Sequence, residues 1–269
     1  MLDLPCGSPG GANMNLSRRA LLKIAGVSLI GAGVGPTLKV LEAGESPRTL
    51  ASPNRLAGKR WAMAVHTQKC PTGCKECIDA CHREHNVPDF GNPKDEVKWI
   101  WNEPFKDVFP GQEHKYMDER MKEKPVLVLC NHCDNPPCVR VCPTQATFKR
   151  KEDGIVMMDY HRCIGCRFCI AGCPYGARSM NFRDPRPFIK KIKPDFPTRT
   201  KGVVEKCNFC EERLARGLMP ACVEACKDKA LVFGDLENPA SDIRKLLKAQ
   251  LTLRRRPELG TQPHVYYLM

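Results

Sequence analysis

The sequence predicts an α+β fold in which short hairpins and long loops wrap around inorganic cofactors. The first observation is the cysteine content, because 17 of the 269 residues are cysteine, several times the ordinary usage. The second is a small supply of core-forming residues: aromatic residues make up 7% of a chain that has 20 glycines and 23 prolines. Such a chain depends on ligated cofactors for stability, since metal-binding free energy becomes folding free energy when the empty site is disordered.

The third observation is a hairpin signal in the middle of the chain. Residues 146–149 and 155–158 are mostly apolar and flank Asp153-Gly154, a residue pair typical of a tight β-turn. Residues 126–129 are also apolar and β-branched in part, which predicts one more short strand. These short strands account for the β part of the predicted fold.

A short helix is predicted near the C-terminus, over residues 241–251, with Ser241 near its N-cap. Two long connectors remain. Residues 85–124 are expected either to cover the core or to dock a partner through their large aromatic side chains, which are Trp99, Trp101, Phe105 and Phe109. Residues 183–202 are rich in proline, lysine and arginine, which predicts a surface loop.

Residues 1–60 predict an export signal followed by a linker. Arg18 and Arg19 precede a short apolar stretch at 24–34, an arrangement typical of a twin-arginine signal. The stretch is short for a membrane span, and a basic buried helix is the alternative interpretation. Because twin-arginine export carries folded proteins, the mature protein is expected at the extracytoplasmic, periplasmic face of the cytoplasmic membrane. We expect the true start to be Met14.

Sixteen of the seventeen cysteines form four blocks, and every block ends in Cys-x3-Cys. Cys6 lies upstream and has no predicted role. The blocks are Cys70-x3-Cys74-x2-Cys77-x3-Cys81, Cys130-x2-Cys133-x4-Cys138-x3-Cys142, Cys163-x2-Cys166-x2-Cys169-x3-Cys173 and Cys207-x2-Cys210-x11-Cys222-x3-Cys226. The third block has the bacterial ferredoxin spacing, in which three cysteines bind one cubane cluster and the fourth binds another. The blocks therefore predict four cubane clusters, each a [4Fe–4S] centre.

Other occupants of the cysteine blocks are disfavoured by the spacing. Structural zinc prefers two Cys-x2-Cys pairs and would leave the third cysteine of each tight triplet badly placed. Disulfides do not explain four repeated blocks of four. A [3Fe–4S] or [2Fe–2S] cluster at one site stays open, above all at the first block. Its first gap is one residue longer than the ferredoxin spacing, and Thr72-Gly73 is expected to absorb the insertion as a small bulge.

The cluster ligands are expected to cross between blocks. The second and third blocks both end in Cys-Pro and are joined by the predicted hairpin, so we pair them in one module, residues 130–202, and pair the first with the fourth in another, residues 61–129 plus 203–269. The predicted fold is thus two bacterial-ferredoxin-like modules. Exchange of fourth cysteines gives set one, Cys70, Cys74, Cys77 and Cys226; set two, Cys207, Cys210, Cys222 and Cys81; set three, Cys130, Cys133, Cys138 and Cys173; and set four, Cys163, Cys166, Cys169 and Cys142.

The charge and the remaining motifs exclude other classes of function. The formal net charge of +13 would suit nucleic-acid binding, but residues 61–269 contribute 35 Lys and Arg against 27 Asp and Glu, a net +8. Four thiolate-bound cubane clusters bring about −8, which this excess balances. We therefore expect no nucleic-acid partner. The sequence also has no nucleophile–base pair or phosphate loop, so no small-molecule substrate chemistry is expected.

The block order, the eleven-residue gap and the ending Pro257–Tyr267 resemble the four-cluster ferredoxin-type subunits of membrane oxidoreductases. The resemblance covers nearly the whole chain after the signal. The twin-arginine signal and residues Trp99–Phe105, with His114-Lys-Tyr116, are similar to the DsrO subunits of the Dsr complex of sulfite- and sulfate-reducing prokaryotes.

The resemblance implies two partners: an integral membrane, quinone-reactive subunit of the NrfD type, and a multihaem c-type cytochrome. The chain would then relay electrons between quinone and haem or other redox centres. An equivalent subunit of a molybdopterin oxidoreductase or a hydrogenase is the nearest alternative. A zinc-dependent interaction protein is the alternative from another class.

Overall fold

The computed structural model describes residues 56–269, so Arg18, Arg19 and the rest of the expected export signal lie outside the described residues. The strands are β1 Trp61–His66, β2 Ile100–Pro104, β3 Pro125–Leu129, β4 Thr147–Lys149, β5 Val156–Met158, β6 Ser179–Met180, β7 Val204–Glu205, β8 Leu231–Asp235 and β9 Val265–Leu268. The helices are α1 Glu76–Glu84, α2 Phe105–Val108, α3 Glu119–Lys122, α4 Pro137–Arg140, α5 Phe168–Ala171, α6 Glu211–Leu214, α7 Ala221–Glu224 and α8 Asp242–Ala249. None of the helices in this part of the chain is long and apolar enough to cross a membrane.

A three-stranded sheet in the order β8-β1-β9 joins both ends of the described chain. β1 pairs antiparallel with β8 and parallel with β9, so Met63 faces Phe233 on one side and Val265 on the other. β1 is buried on both faces because its side chains alternate between two apolar clusters. Ala62 and Ala64 pack against α8, while Met63 enters the main core.

The predicted C-terminal helix is confirmed, although α8 ends at Ala249. The Ser241 hydroxyl accepts a hydrogen bond from the Arg244 N–H at 3.4 Å, which caps the first turn. Ile243 is fully buried against the sheet. A Cβ at Gly234 would stand 3.0 Å from the Ile243 side chain, so the glycine lets helix and strand approach closely.

The short strands in the middle of the chain also match the sequence prediction. β4 and β5 form the antiparallel hairpin, with Thr147 opposite Met158. β3 forms as expected and pairs with β2 from the first connector, with Ile100 opposite Leu129. A further two-residue pair, β6 with β7, links the two segments that flank the second connector. Helices and small sheets are thus mixed, as an α+β fold requires.

The idea that the first connector docks a partner through its aromatic side chains is wrong for most of them. Trp99, Trp101 and Phe109 are buried in the main core, and Phe105 packs half-buried against it. Trp99 stacks on His85 with ring centroids 4.4 Å apart. The connector is therefore part of the core.

The second connector, residues 183–202, is largely exposed, as predicted. One of its side chains, Arg199, is nevertheless buried in the core. The guanidinium of Arg199 is fully buried and lies 2.6 Å from the carboxylate of Glu205, which is equally buried. Trp99 Nε1 and Asn181 Nδ2 donate to the same carboxylate at 2.9 and 2.5 Å. Arg199 also donates to the backbone carbonyl oxygens of His85 and Asn86 at 2.5 and 2.8 Å. Both charges are therefore satisfied within one network.

We expect Glu205→Ala to destabilise the protein by about 3–5 kcal/mol, because it leaves the Arg199 guanidinium buried without a counter-charge. Anaerobic denaturant unfolding of the cluster-loaded protein measures this free energy. Glu237→Ala, at an exposed carboxylate, is the control and should change stability by less than about 0.5 kcal/mol. Equal unfolding free energies for the two variants would show that the buried pair contributes no stability.

Candidate metal centres

Every Cys-x3-Cys pair spans one turn of helix. The first cysteine of each pair lies on a helix and the second lies on or just beyond its end: Cys77 and Cys81 with α1, Cys138 and Cys142 with α4, Cys169 and Cys173 with α5, Cys222 and Cys226 with α7. Residues i and i+4 share a helix face and are about 6 Å apart along the axis. Each pair can therefore divide its thiols between two neighbouring groups.

The helices that carry these pairs also pack two by two. α1 contacts α7, and α4 contacts α5. The first block thus lies against the fourth, and the second lies against the third. This is the arrangement in which fourth cysteines can be exchanged.

A left-handed residue stands immediately before the second cysteine of every block. These residues are Gly73, His132, Gly165 and Phe209, with φ of 85°, 41°, 67° and 57°. A left-handed residue in such a loop turns successive N–H groups toward one side, which suits an anionic group. In the first block, Cys74 N–H donates to Pro71 O at 3.2 Å. Gly73 thus closes a turn that holds the extra residue, in the place expected from the sequence.

Two of the four left-handed residues have bulky side chains. A left-handed backbone is uncommon for such residues and costs about 1–2 kcal/mol of stability each. His132 and Phe209 stack on each other with ring centroids 3.7 Å apart. His132 Nδ1 also accepts a hydrogen bond from Val156 N–H at 3.1 Å. These contacts offset the strain, and they join the loop of the second block to the loop of the fourth.

The structure brings the cysteines of set one and those of set two together. One cavity is lined by all four thiols of set one, Cys70, Cys74, Cys77 and Cys226. In set two, burial raises the pKa of Cys81 well above its ordinary value, and the thiolate charges of Cys210, Cys207 and Cys222 raise it further. The thiol from the first block therefore lies among three thiols of the fourth.

The cysteines of set three also lie together. Burial raises the pKa of Cys133 to about 12, with contributions from Cys130, Cys138 and Cys173, while a hydrogen bond from Thr261 opposes the rise. Cys173 comes from the third block and the other three come from the second.

Set four lies beside set three. Cys142, Cys163 and Cys169 pack in one apolar cluster, and Cys166 belongs to the same loop. Burial alone would raise the pKa of Cys142, but hydrogen bonds from Thr147 and Thr144 outweigh it and lower that pKa. An N–H···S contact of 3.5 Å from Thr147 is part of this effect.

Neighbouring sets are close enough for thiolate charge to act between them. After burial and Cys207, the charge of Cys77 raises the pKa of Cys222, which links set one to set two. Burial and then Cys130 raise the pKa of Cys207 to about 12, linking sets two and three. Cys138, from set three, likewise acts on the pKa of Cys169 of set four. The four sets are therefore linked in sequence from one to four.

Burial differs along this series. All four thiols of set two are buried, as are three of the four in set three, whereas sets one and four contain three half-exposed thiols each. All sixteen cysteines of the described residues are free thiols. The ends of the series thus approach solvent, and its middle does not.

Two buried cations test whether these thiols suit an anionic cofactor. Arg178 and Lys206 are 4% and 1% exposed, and in residues 56–269 neither forms an ion pair with a carboxylate. Burial lowers the pKa of Lys206, and the thiolate charge of Cys130 raises it. Unpaired buried charges are costly unless an opposite charge lies beside them. Thiolate ligands and adjacent buried cations fit iron–sulfur clusters.

Sequence reasoning missed these two cations, because nothing in the cysteine spacing refers to them. Lys206 directly precedes the first cysteine of the fourth block, and Arg178 follows the third block by five residues. A lysine or arginine near a cysteine block is ordinarily a surface residue. Only the three-dimensional structure shows that both side chains are directed inward.

Four linked groups of four thiols in a small α+β fold, with buried cations beside them, define an iron–sulfur protein. The comparisons with known proteins agree. A family model described as a 4Fe-4S dicluster domain matches residues 125–186 and 192–236. The Hdr-like menaquinol oxidoreductase iron–sulfur subunit 1 of Archaeoglobus fulgidus is 41% identical, over 94% of this chain and 97% of that protein.

Two further relatives have similar coverage. A tetrathionate reductase subunit of Salmonella typhimurium is 36% identical, over 96% of this chain and 90% of its own length. The iron–sulfur cluster-binding subunit of menaquinone reductase from Nitratidesulfovibrio vulgaris is 37% identical, over 78% of this chain and 88% of its own. The chain belongs to this family of iron–sulfur electron-transfer subunits with ferredoxin-type 4Fe–4S domains.

We expect removal of the clusters to unfold the cysteine-bearing helices first, because the main core contains six of the cysteines while the cluster around Ile243 contains none. Anaerobic treatment with a chelator and an oxidant, followed by hydrogen exchange, measures this. Amides of α1 and α7 should lose protection, whereas those of α8 should keep more of it. The chelator without oxidant is the control, and equal loss across all three helices would contradict the expectation.

Proposed function

We propose that the chain is the electron relay of a quinone-linked membrane complex and holds four [4Fe–4S] clusters in two ferredoxin-like modules. The observation that carries this proposal is the order of the four thiol sets. Thiolate charge of each set acts on the next, seven of the eight thiols of the inner sets are buried, and the outer two sets reach solvent. Such a series has one entry and one exit for electrons, and protects the middle from side reactions.

The ligand sets follow the exchange between blocks. Cys226 closes set one and Cys81 closes set two; Cys173 closes set three and Cys142 closes set four. The packing of α1 on α7 and of α4 on α5 supports this assignment. A cubane takes four thiolates, so sixteen cysteines supply four clusters with no ligand left over.

The two ends of the relay differ in surface chemistry, which suits two different partners. Beside set four, Ile164 and Phe168 are 67% and 58% exposed. Exposed apolar side chains of this kind suit an interface with an integral membrane subunit, here of the quinone-reactive NrfD type. Beside set one, Lys227 is exposed and pairs with Glu76 at 2.5 Å. A charged surface suits a soluble redox partner, here a multihaem c-type cytochrome.

The names of the relatives support the link to quinone. Two of them are named as subunits of a menaquinol oxidoreductase and a menaquinone reductase. Within this class we favour the Dsr complex of sulfite and sulfate reduction, on the twin-arginine signal and the segment Trp99–Phe105. Export through Arg18 and Arg19 would place the relay at the periplasmic face of the membrane. A subunit of a molybdopterin reductase is the second candidate, favoured by the tetrathionate reductase relative.

The intact chain should carry about sixteen iron atoms and sixteen acid-labile sulfides, because each cubane contributes four of each. Anaerobic purification followed by iron and sulfide analysis measures both. Cys222→Ser removes a set-two ligand and should lower both counts. Leu251→Ser, at a fully exposed residue, is the control and should leave both unchanged. A reproducible count near eight, or stoichiometric zinc, would reject the four-cluster assignment.

Quinol should reduce the clusters only when the membrane partner is bound, because the chain itself offers no quinone site in this proposal. Membranes solubilised in mild detergent should yield this chain together with a multi-pass protein. Phe168→Glu should weaken that association, whereas Leu251→Glu, at a leucine 98% exposed after α8, should not. The membrane-relay assignment fails if the isolated chain is reduced by quinol at the same rate as the complex.

A further inference from the structure

We infer that Arg178 and Lys206 make the set-three cluster the most easily reduced of sets two, three and four, so that an electron rests there during transfer. The inference rests on the proposed four-cluster relay and goes beyond it, because it assigns unequal potentials to the clusters. Arg178 and Lys206 are positioning residues that act on a cluster through charge and hydrogen bonding. Their burial, their partners and the charges that face the neighbouring sets all point to set three.

Arg178 lies between sets three and four. Its Nη2 donates to the sulfur of Cys138 at 3.0 Å, and Nη1 donates to the Thr147 hydroxyl at 3.0 Å. Burial lowers the pKa of Arg178, but the thiolate charges of Cys138, Cys169 and Cys130 outweigh this effect and raise it. Arginine stays charged in proteins, so this is a permanent positive charge against set three.

Lys206 lies between sets two and three. Its ammonium group donates to the carbonyl oxygens of Val156 and Cys207, the second at 2.6 Å. Burial lowers the pKa of Lys206. Among the thiolates, Cys130 of set three opposes this most strongly, ahead of Cys207 and Cys138. The two carbonyl acceptors hold the charged head in place between the two sets.

The two cations therefore converge on one set from opposite sides. The two cations repel each other, since the positive charge of Arg178 lowers the pKa of Lys206. Two like charges buried together need an anion between them. Within the described residues no carboxylate supplies it, whereas the thiolates of Cys130 and Cys138 face both.

The neighbouring sets have different surroundings. Set two faces Lys206 but also the carboxylate of Glu212, which raises the pKa values of Cys81 and Cys210 in addition to burial and the neighbouring thiolates. Set four also faces Arg178, but three of its thiols are half-exposed. Arg162 and Arg167, which adjoin its ligands in the sequence, are exposed. Solvent near a charge weakens the effect of a distant cation, and burial strengthens it. Set three combines two buried cations, and the carboxylate that adjoins it in the sequence, Asp134, is paired with Lys149 at 2.5 Å and with Arg60 at 2.8 Å.

The two buried cations affect the potential for one-electron reduction of the set-three cluster. A cubane bound by four thiolates goes from a charge of about −2 to about −3 when it accepts an electron from the adjacent cluster. A nearby cation stabilises the more negative state and so raises the potential. Hydrogen bonds to the ligand sulfur act in the same direction. Both effects are present at Cys138 through Arg178.

The test is a potentiometric titration of the anaerobic protein, followed by electron paramagnetic resonance, with Arg178→Gln and Lys206→Gln. Arg178→Gln should lower the potentials of sets three and four, and Lys206→Gln those of sets two and three. The signal that both variants move is therefore set three. We expect each substitution to lower the equilibrium constant for reduction of set three about tenfold. This corresponds to a potential lower by about 59 mV for a one-electron reduction.

Two controls separate charge from structure. Arg178→Lys keeps the charge and should restore most of the potential. Lys248→Gln removes an exposed cation on α8, which packs in an apolar cluster without cysteines, and should shift no potential measurably because solvent screens it. Iron content of each variant reports separately whether four clusters are present, so failure of the relay proposal is distinguishable from failure of this one.

Each outcome supports or overturns the inference. If both glutamine variants keep their iron and no signal is moved by both, the inference is overturned. If a variant loses one cluster, set three is the signal that is missing in one variant and missing or shifted in the other, and that signal must have the highest potential of the three linked sets in the native protein. A lower native potential for that signal overturns the inference as well.

Discussion

The Cys-x3-Cys turn is the constraint on which the rest of the structure depends. Two thiols one helical turn apart, about 6 Å along the axis, are too close to serve distant sites. The chain divides them, so that Cys77 and Cys81 belong to different groups although both lie on α1. Repeated four times, this division forces the sets to be neighbours. The helix pairs, the short hairpin and the linked series of thiols all follow from it.

Buried charges in the core are balanced by opposite charges in two different ways. Arg199 and Glu205 neutralise each other, and surrounding side chains and backbone carbonyls supply further hydrogen bonds to both. Arg178 and Lys206 have no such carboxylate among the described residues and face thiolates instead. The first pair belongs to the polypeptide alone. The second pair makes physical sense only with a negatively charged cofactor beside it, so the cofactor is a structural component of the fold.

The sequence predicted the local elements and the cysteine blocks well, because their signals are local. Asp153-Gly154, the Ser241 cap and the cysteine spacing each specify a conformation within a few residues. It did not predict the sheet of β8, β1 and β9, whose register joins residues about two hundred positions apart. β1 is buried on both faces and so lacks the alternation that marks a strand. His132 and Phe209 were missed because a left-handed conformation is uncommon for any residue other than glycine.

The order of the blocks along the chain also has a consequence for biosynthesis. All thiols of sets three and four have been synthesised once Cys173 is made, whereas sets one and two wait for Cys226. The sheet is later still, because β9 pairs with β1 only when Val265–Leu268 have emerged. Cofactor insertion can therefore begin in the middle of a nascent chain and finish at its outside. For part of that time the first block has no partner block, and its thiols are open to oxidation or to the wrong metal.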